Sequence, residues 1–288
     1  MRKIVKVVVL GIVMSLLTGC LKRDNFEEIS IYTTVYPIEY ITEKLYGNHS
    51  EIFSIYPNGE NVYEYKLTDS QIQDYSKTNL FIFNGLSEER KYVSDFFKFN
   101  KKLKIIDTTT SMEISYKTEE LWLDPSNFLM LAQNIRYGLK QYINNHYLKN
   151  EIDANYEKLK EEVSKLDADI YDISRHTDNN VIVVSDDLFK YLEKYNIEVI
   201  SLEENDNLTE KTVARVIDLI NNQKIHCIFM KQGENQNDTV KKIVNETGIE
   251  VVYFHSLSNL TGEERNAKKD YLTIMNDNIE LLKNELYD

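Results

Sequence analysis

Strand-like and helix-like segments alternate from Ile29 to the end of the chain, and this alternation constrains the fold more than any other feature. β-Branched and aromatic runs at Ile29–Val35, Ile52–Tyr56, Leu80–Phe83 and Leu103–Ile106 read as strands. A second set follows at Val181–Val184, Val199–Leu202, Ile225–Phe229 and Val251–Phe254. Helical segments separate them. Pro37 opens one that presents Ile38, Ile41 and Leu45 and stops at Gly47. Thr68 with Gln71 forms a capping box. Asp124-Pro125 gives a cap followed by a first-turn proline. Further helices are expected near Leu188–Tyr195, Thr209–Asn221, Asn237–Thr247 and from about Arg265 to Leu286. Strands joined through helices pair in parallel, so the expected class is α/β.

Between the two strand sets, Ile152, Tyr156, Leu159, Val163, Leu166 and Ile170 recur at spacings of 4, 3, 4, 3 and 4. That is one long amphipathic helix, and about 24 residues of it would span roughly 36 Å. It has too few heptads, and no sequel, for a coiled-coil dimer, so it reads as an internal strut. The expected architecture is two α/β lobes, each with a mainly parallel sheet, joined by one long helix. The lobes are placed at residues 29–147 and 177–288, and the helix at 148–176.

The first 28 residues read differently. Arg2, Lys3 and Lys6 precede an uncharged, mostly apolar run, Val7–Leu17. It is shorter than the roughly 20 residues a membrane span needs, and its layout is that of a secretory signal. It ends in Leu17-Thr18-Gly19-Cys20, which resembles the lipobox of bacterial lipoproteins, with Cys20 as the lipidated residue. Residues 1–20 are taken as the signal and 21–28 as a short tether, giving an extracytoplasmic, lipid-anchored protein. Cys227 is then the single remaining thiol, so no internal disulfide forms, and its apolar surroundings make it a buried small hydrophobe.

The chain carries 47 acidic against 34 basic side chains, for a formal charge of −13. This excludes a basic nucleic-acid footprint. There is no Gly-rich phosphate loop, nucleophile elbow or His-Glu-x-x-His run. Ser185 beside Asp186 is the one hint of a hydrolase, and adjacency in sequence is not catalytic geometry. The chain is therefore not expected to be an enzyme.

In open parallel sheets ligands bind beyond the carboxyl ends of the strands. Those ends carry Tyr63 and Glu64, Asp186 and Asp187, and His255, with Glu119 and Glu120 ahead of the Asp124-Pro125 helix. Converging, this set of oxygen donors and one imidazole could hold a divalent or trivalent cation. Singly, each acidic residue reads first as a solvated loop side chain.

Several motifs in order resemble the substrate-binding lipoproteins of zinc- and manganese-type ABC importers. They are Thr33-Thr34-Val35-Tyr36-Pro37, Pro57-x-Gly59 with Tyr63-Glu64-Tyr65, Trp122-Leu123-Asp124-Pro125 and Ser185 to Leu192. Glu246-Thr247-Gly248 and Tyr271-Leu272-x-x-Met275-x-x-Asn278 complete the series. The resemblance implies a capture protein that takes a transition-metal ion (manganese, iron or zinc) between its lobes and passes it to a membrane permease. It also implies a monomer with a stiff connecting helix and modest lobe movement. Tyr63, Glu120, Asp186 and His255 stand at the four ligand positions, where the family has His, His, His or Glu, and usually Asp. The altered set is hard and suits manganese or iron, ferric iron especially. Two explanations remain open: a re-specified metal site, or a lost one whose lobes hold another small ligand or none. The competing class is a surface lipoprotein, adhesin-like, with a vestigial site. Trp122 and Phe189 are expected in the core.

Overall fold

A computed structural model describes residues 24, 26–114, 120–177 and 179–287. The signal, the lipobox with Cys20, half of the tether and Glu119 lie outside the described residues. The strands are β1 (Ile29–Thr33), β2 (Ser50–Ser54), β3 (Leu80–Phe83), β4 (Lys104–Asp107), β5 (Val181–Val184), β6 (Glu198–Ser201), β7 (Cys227–Lys231) and β8 (Glu250–Phe254). The helices are α1 (Tyr36–Tyr46), α2 (Asp69–Tyr75), α3 (Arg90–Phe99), α4 (Pro125–Tyr142), α5 (His146–Arg175), α6 (Glu210–Asn221), α7 (Asp238–Thr247), α8 (Gly262–Asn266) and α9 (Tyr271–Tyr287).

The strands form two parallel sheets, ordered β2-β1-β3-β4 and β6-β5-β7-β8. The same order occurs twice, once on each side of α5. The inner strands β3 (LFIF) and β5 (VIVV) are apolar and buried throughout. That is what a parallel sheet covered on both faces demands. In register, Ile31 lies opposite Ile52 and Leu80, and Val183 opposite Ile200 and Ile228.

The strut is longer than the spacing alone indicated. Helix α5 runs for 30 residues, about 45 Å, from an Asn145 cap whose side chain accepts from Tyr147 N–H. Ile152, Tyr156, Leu159, Val163, Leu166 and Ile170 are all buried. This stripe packs against α1, α4 and α9, so one helix carries apolar contacts to both halves.

Three local readings needed correction. Asp187–Tyr195 is a 3-10 segment rather than an α-helix. Leu188, Leu192 and Tyr195 are buried at spacings that suit either coil, and the Asp186 side chain tightens its first turn by accepting from Leu188 N–H. The final helix is broken, because Asp270 accepts from Thr273 N–H and starts α9 anew after α8. Helix α3, which buries Tyr92 and Phe96 four residues apart, was not anticipated behind its charged leading end.

Trp122 and Phe189 are buried core residues. Cys227 is also buried, and burial beside Glu285 pushes its thiol far above the usual range. Among the described residues no helix is long and apolar enough to cross a membrane.

Candidate functional site

The carboxyl ends of both sheets open into a cleft of about 490 Å³ between the halves. The N-terminal half contributes Gly59, Glu60, Asn61, Tyr63, Glu64 and Glu120. The C-terminal half contributes Lys231–Asn235, His255 and the loop to Glu264. Polar contacts fasten the two rims together. Gly59 N–H donates to Leu260 O at 2.9 Å, and Asn259 Nδ2 donates to Pro57 O at 2.7 Å. Trp122 Nε1 reaches Ser256 O at 2.8 Å, and Tyr271 Oη donates to Trp122 O at 2.7 Å. The cleft is thus framed by fixed loops, with Trp122 as a joint beneath it.

Glu120 lies at the bottom of the cleft. Its backbone is left-handed, with φ of 48°, a conformation that costs a non-glycine residue free energy. The residue is 2% exposed, and Oε1 accepts no aligned hydrogen bond. What meets its charge is Lys231, the last residue of β7, whose Nζ stands 3.2 Å from Glu120 Oε1 and 2.8 Å from Glu234 Oε1. The same ammonium lies 5.3 Å from the centroid of the Tyr63 ring. Burial pushes the Glu120 carboxyl above the usual range, against the opposing pull of Lys231 and a hydrogen bond from Tyr63. Burial also works against the Lys231 ammonium, but the Glu120 and Glu234 carboxylates outweigh it and raise its pKa.

His255 sits at the end of β8 with both ring nitrogens engaged. Nδ1 accepts from Leu257 N–H at 2.9 Å, so the neutral ring carries its proton on Nε2, 3.1 Å from Glu264 Oε1. Glu264 Oε2 meanwhile accepts from Thr261 N–H, closing the capping box of α8. Burial holds the His255 pKa below the usual value despite Glu264. Asn278 grips the backbone of His255 from both sides, N–H and C=O, at 3.0 Å each.

Of the four expected ligands, Tyr63, Glu120 and His255 line the cleft. Asp186 lies behind, capping its 3-10 segment through Oδ1 at 2.7 Å from Leu188 N, and its charge reaches Glu120. Glu64 lines the rim, whereas Asp187 pairs with Lys190 at 2.8 Å. Among the described residues no group of three or more His, Cys, Asp or Glu is disposed to hold a metal ion. The chemistry at Glu120 fits a cation, and in the structure that cation is an ammonium. Lys231, Glu234 and Glu264 were not anticipated. Lys231 follows a strand already recognised, so the rule that placed Asp186 and His255 would have placed it too, had cations been sought as well as donors.

With this geometry in hand, the relatives are informative. The ZnuA family, described as zinc-uptake complex component A, periplasmic, matches residues 31–285. The manganese-binding lipoprotein MntA of Halalkalibacterium halodurans is 21% identical over 97% of this chain and 97% of its own. The metal ABC transporter substrate-binding lipoprotein SloC of Streptococcus mutans is 22% identical over 92% of each chain. The crystal structure of the Zn(II)-bound ZnuA-like domain of Streptococcus pneumoniae AdcA superposes with a TM-score of 0.73 at 20% identity. It covers 91% of this chain and 100% of that domain, and so shares the two-sheet fold. The match spans both sheets and the connecting helix, and the chain belongs to the ZnuA family of substrate-binding proteins.

Proposed function

We propose that this chain is the extracytoplasmic, lipid-anchored binding protein of a metal-ion ABC importer, a monomer that carries a transition-metal ion in the cleft to its permease. One observation carries the reading: Glu120, 2% exposed, holds a carboxylate at the cleft against positive charge, here the Lys231 ammonium 3.2 Å from its Oε1. A buried carboxylate is costly unless a cation meets it, so this is a place made for positive charge. Tyr63 and Glu120 would supply oxygen, Asp186 a second carboxylate, and His255 an imidazole. That hard set favours manganese or iron over softer ions. MntA and SloC point to metal transport rather than to the matrix-binding alternative. The lobes are taken as residues 29–147 and 177–288, with α5 as the strut and Cys20 as the anchor.

The test is thermal unfolding of the purified chain in detergent, stripped with chelator and rescanned with manganese, iron in both oxidation states, zinc and calcium. An ion present at 100 times its Kd adds about 2.7 kcal/mol, or about 5 °C for a chain of this size. The reading expects such a rise for manganese or iron. No rise with any ion would overturn it.

A further inference from the structure

We infer that Lys231 is a resident cation of the cleft, its ammonium holding the place against Glu120 that an external cation would take. The inference rests on the reading that this cleft is the ligand site. It starts from a side chain that no metal-binding set requires.

The position of Lys231 is fixed by the fold. It ends β7, which lies between β5 and β8, and it pairs in register with Phe254. The next residue, Gln232, ties down the same strand end by donating its N–H to Phe254 O at 2.8 Å. The ammonium is therefore delivered to the carboxyl edge of the sheet by rigid backbone, on a tether too short to stray far. Its surroundings match its charge. Glu120 lies beneath it at 3.2 Å, Glu234 beside it at 2.8 Å, and the Tyr63 ring within 5.3 Å. The lysine side chain is only 17% exposed, and Glu120 still less. A buried lysine costs free energy unless it is paired, and here two carboxylates and an aromatic ring pair it.

An ammonium and a metal ion cannot both stand against the same carboxylate oxygen. Both are positive, and in a partly buried site their repulsion is poorly screened. An ion entering the cleft must therefore displace Lys231. Glu234 offers the displaced ammonium somewhere to go, because its side chain is 29% exposed against 1% for Glu120 and it already accepts the same Nζ. The lysine thereby sets the affinity. If its ammonium holds the place ~99% of the time, the apparent Kd rises about 100-fold, since only the fraction without it can bind.

The test uses the full chain in detergent and the variants K231M, E120Q and E120Q/K231M. Calorimetric titration with manganese is combined with melting curves in chelator. K231M should bind manganese on the order of 10- to 100-fold more tightly than the unaltered chain. In chelator K231M should melt lower, because Glu120 is left buried without its partner, and E120Q/K231M should recover much of the loss. Measurable manganese binding that is equal or weaker in K231M overturns the inference, whatever the melts show, while leaving the importer reading intact. A melting coupling between the two sites with no binding by any variant has the opposite meaning. Lys231 is then the standing occupant, and metal carriage falls. K231Q, which keeps an N–H toward Glu120 but no charge, serves in both measurements if K231M does not fold.

Discussion

The two halves of the protein are also joined by ion pairs away from the cleft, among them Lys194 with Asp124 and Arg265 with Glu39, and removal of the second can be worked out in advance. Glu39 of α1 is 5% exposed, and Arg265 of α8 holds both of its oxygens, at 2.6 and 2.8 Å. The guanidinium also lies 5.4 Å from the Tyr36 ring. Replacing Arg265 with Met keeps most of the bulk but leaves a buried carboxylate without its partner. Such a loss costs about 3–5 kcal/mol when both ions are buried. Arg265 is 26% exposed, so water can reach the vacated space and the lower end, about 3 kcal/mol, applies. For a chain of this length that is a fall of about 6 °C in Tm. Pairing R265M with E39Q removes the stranded charge, so the double variant should recover at least half of the loss. The assay is a double-mutant cycle of thermal or urea unfolding, in which residues in direct contact show non-additivity. A single-variant loss below about 1 kcal/mol, or strict additivity with E39Q, would refute the claim that this pair joins the halves.

Two further outcomes follow from single positions. Glu89 is buried, and burial raises its carboxyl to about 7 despite hydrogen bonds from Asn84 N–H, Tyr56 Oη and neighbouring hydroxyls. A carboxyl raised in the folded state holds its proton more tightly there than when unfolded. Its contribution therefore declines as pH rises from about 4.5 to about 7, by about 3 kcal/mol, and is flat above that. Urea unfolding across this range should show the slope, and E89Q should remove it. At Gly138 of α4 a Cβ would stand 2.6 Å from Ile106 Cγ1, so G138A should overpack the α4–β4 contact. About 1–3 kcal/mol should be lost in spite of alanine's better helix propensity, read as a lower urea midpoint with an unchanged slope.

Much of the architecture was legible because it is written in burial. The all-apolar runs LFIF and VIVV read as strands and are buried throughout, and the 4-3-4-3 spacing from Ile152 to Ile170 reads as a long helix with one buried face. Asp124-Pro125 and Thr68/Gln71 marked their helix starts because a cap is a local hydrogen bond between near neighbours. Strand limits were less legible. Ile225 is 1% exposed, yet β7 begins only at Cys227 and ends at Lys231, since burial continues past the last ladder bond. The break before α9 depends on one side chain, Asp270, outbidding helix continuation.

The site was legible in place but not in state. The strand-end rule pointed to Tyr63 and His255, which line the cleft, and to Asp186, which does not. Whether a donor faces the cleft or serves a neighbour is a tertiary matter, as His255 with Glu264 and Asp186 with Leu188 show. The pairing of Lys231 with Glu120 joins residues 111 positions apart in different halves of the molecule, and no local pattern announces it.

The most direct test of the account is a manganese titration of the metal-stripped chain beside its E120Q variant, followed by calorimetry. The account predicts one saturable site per chain, weakened at least tenfold by E120Q, since the exchanged oxygen is the one the cleft presents to positive charge. Binding that survives E120Q unchanged would place the cation elsewhere. Absence of binding to both would contradict metal carriage itself.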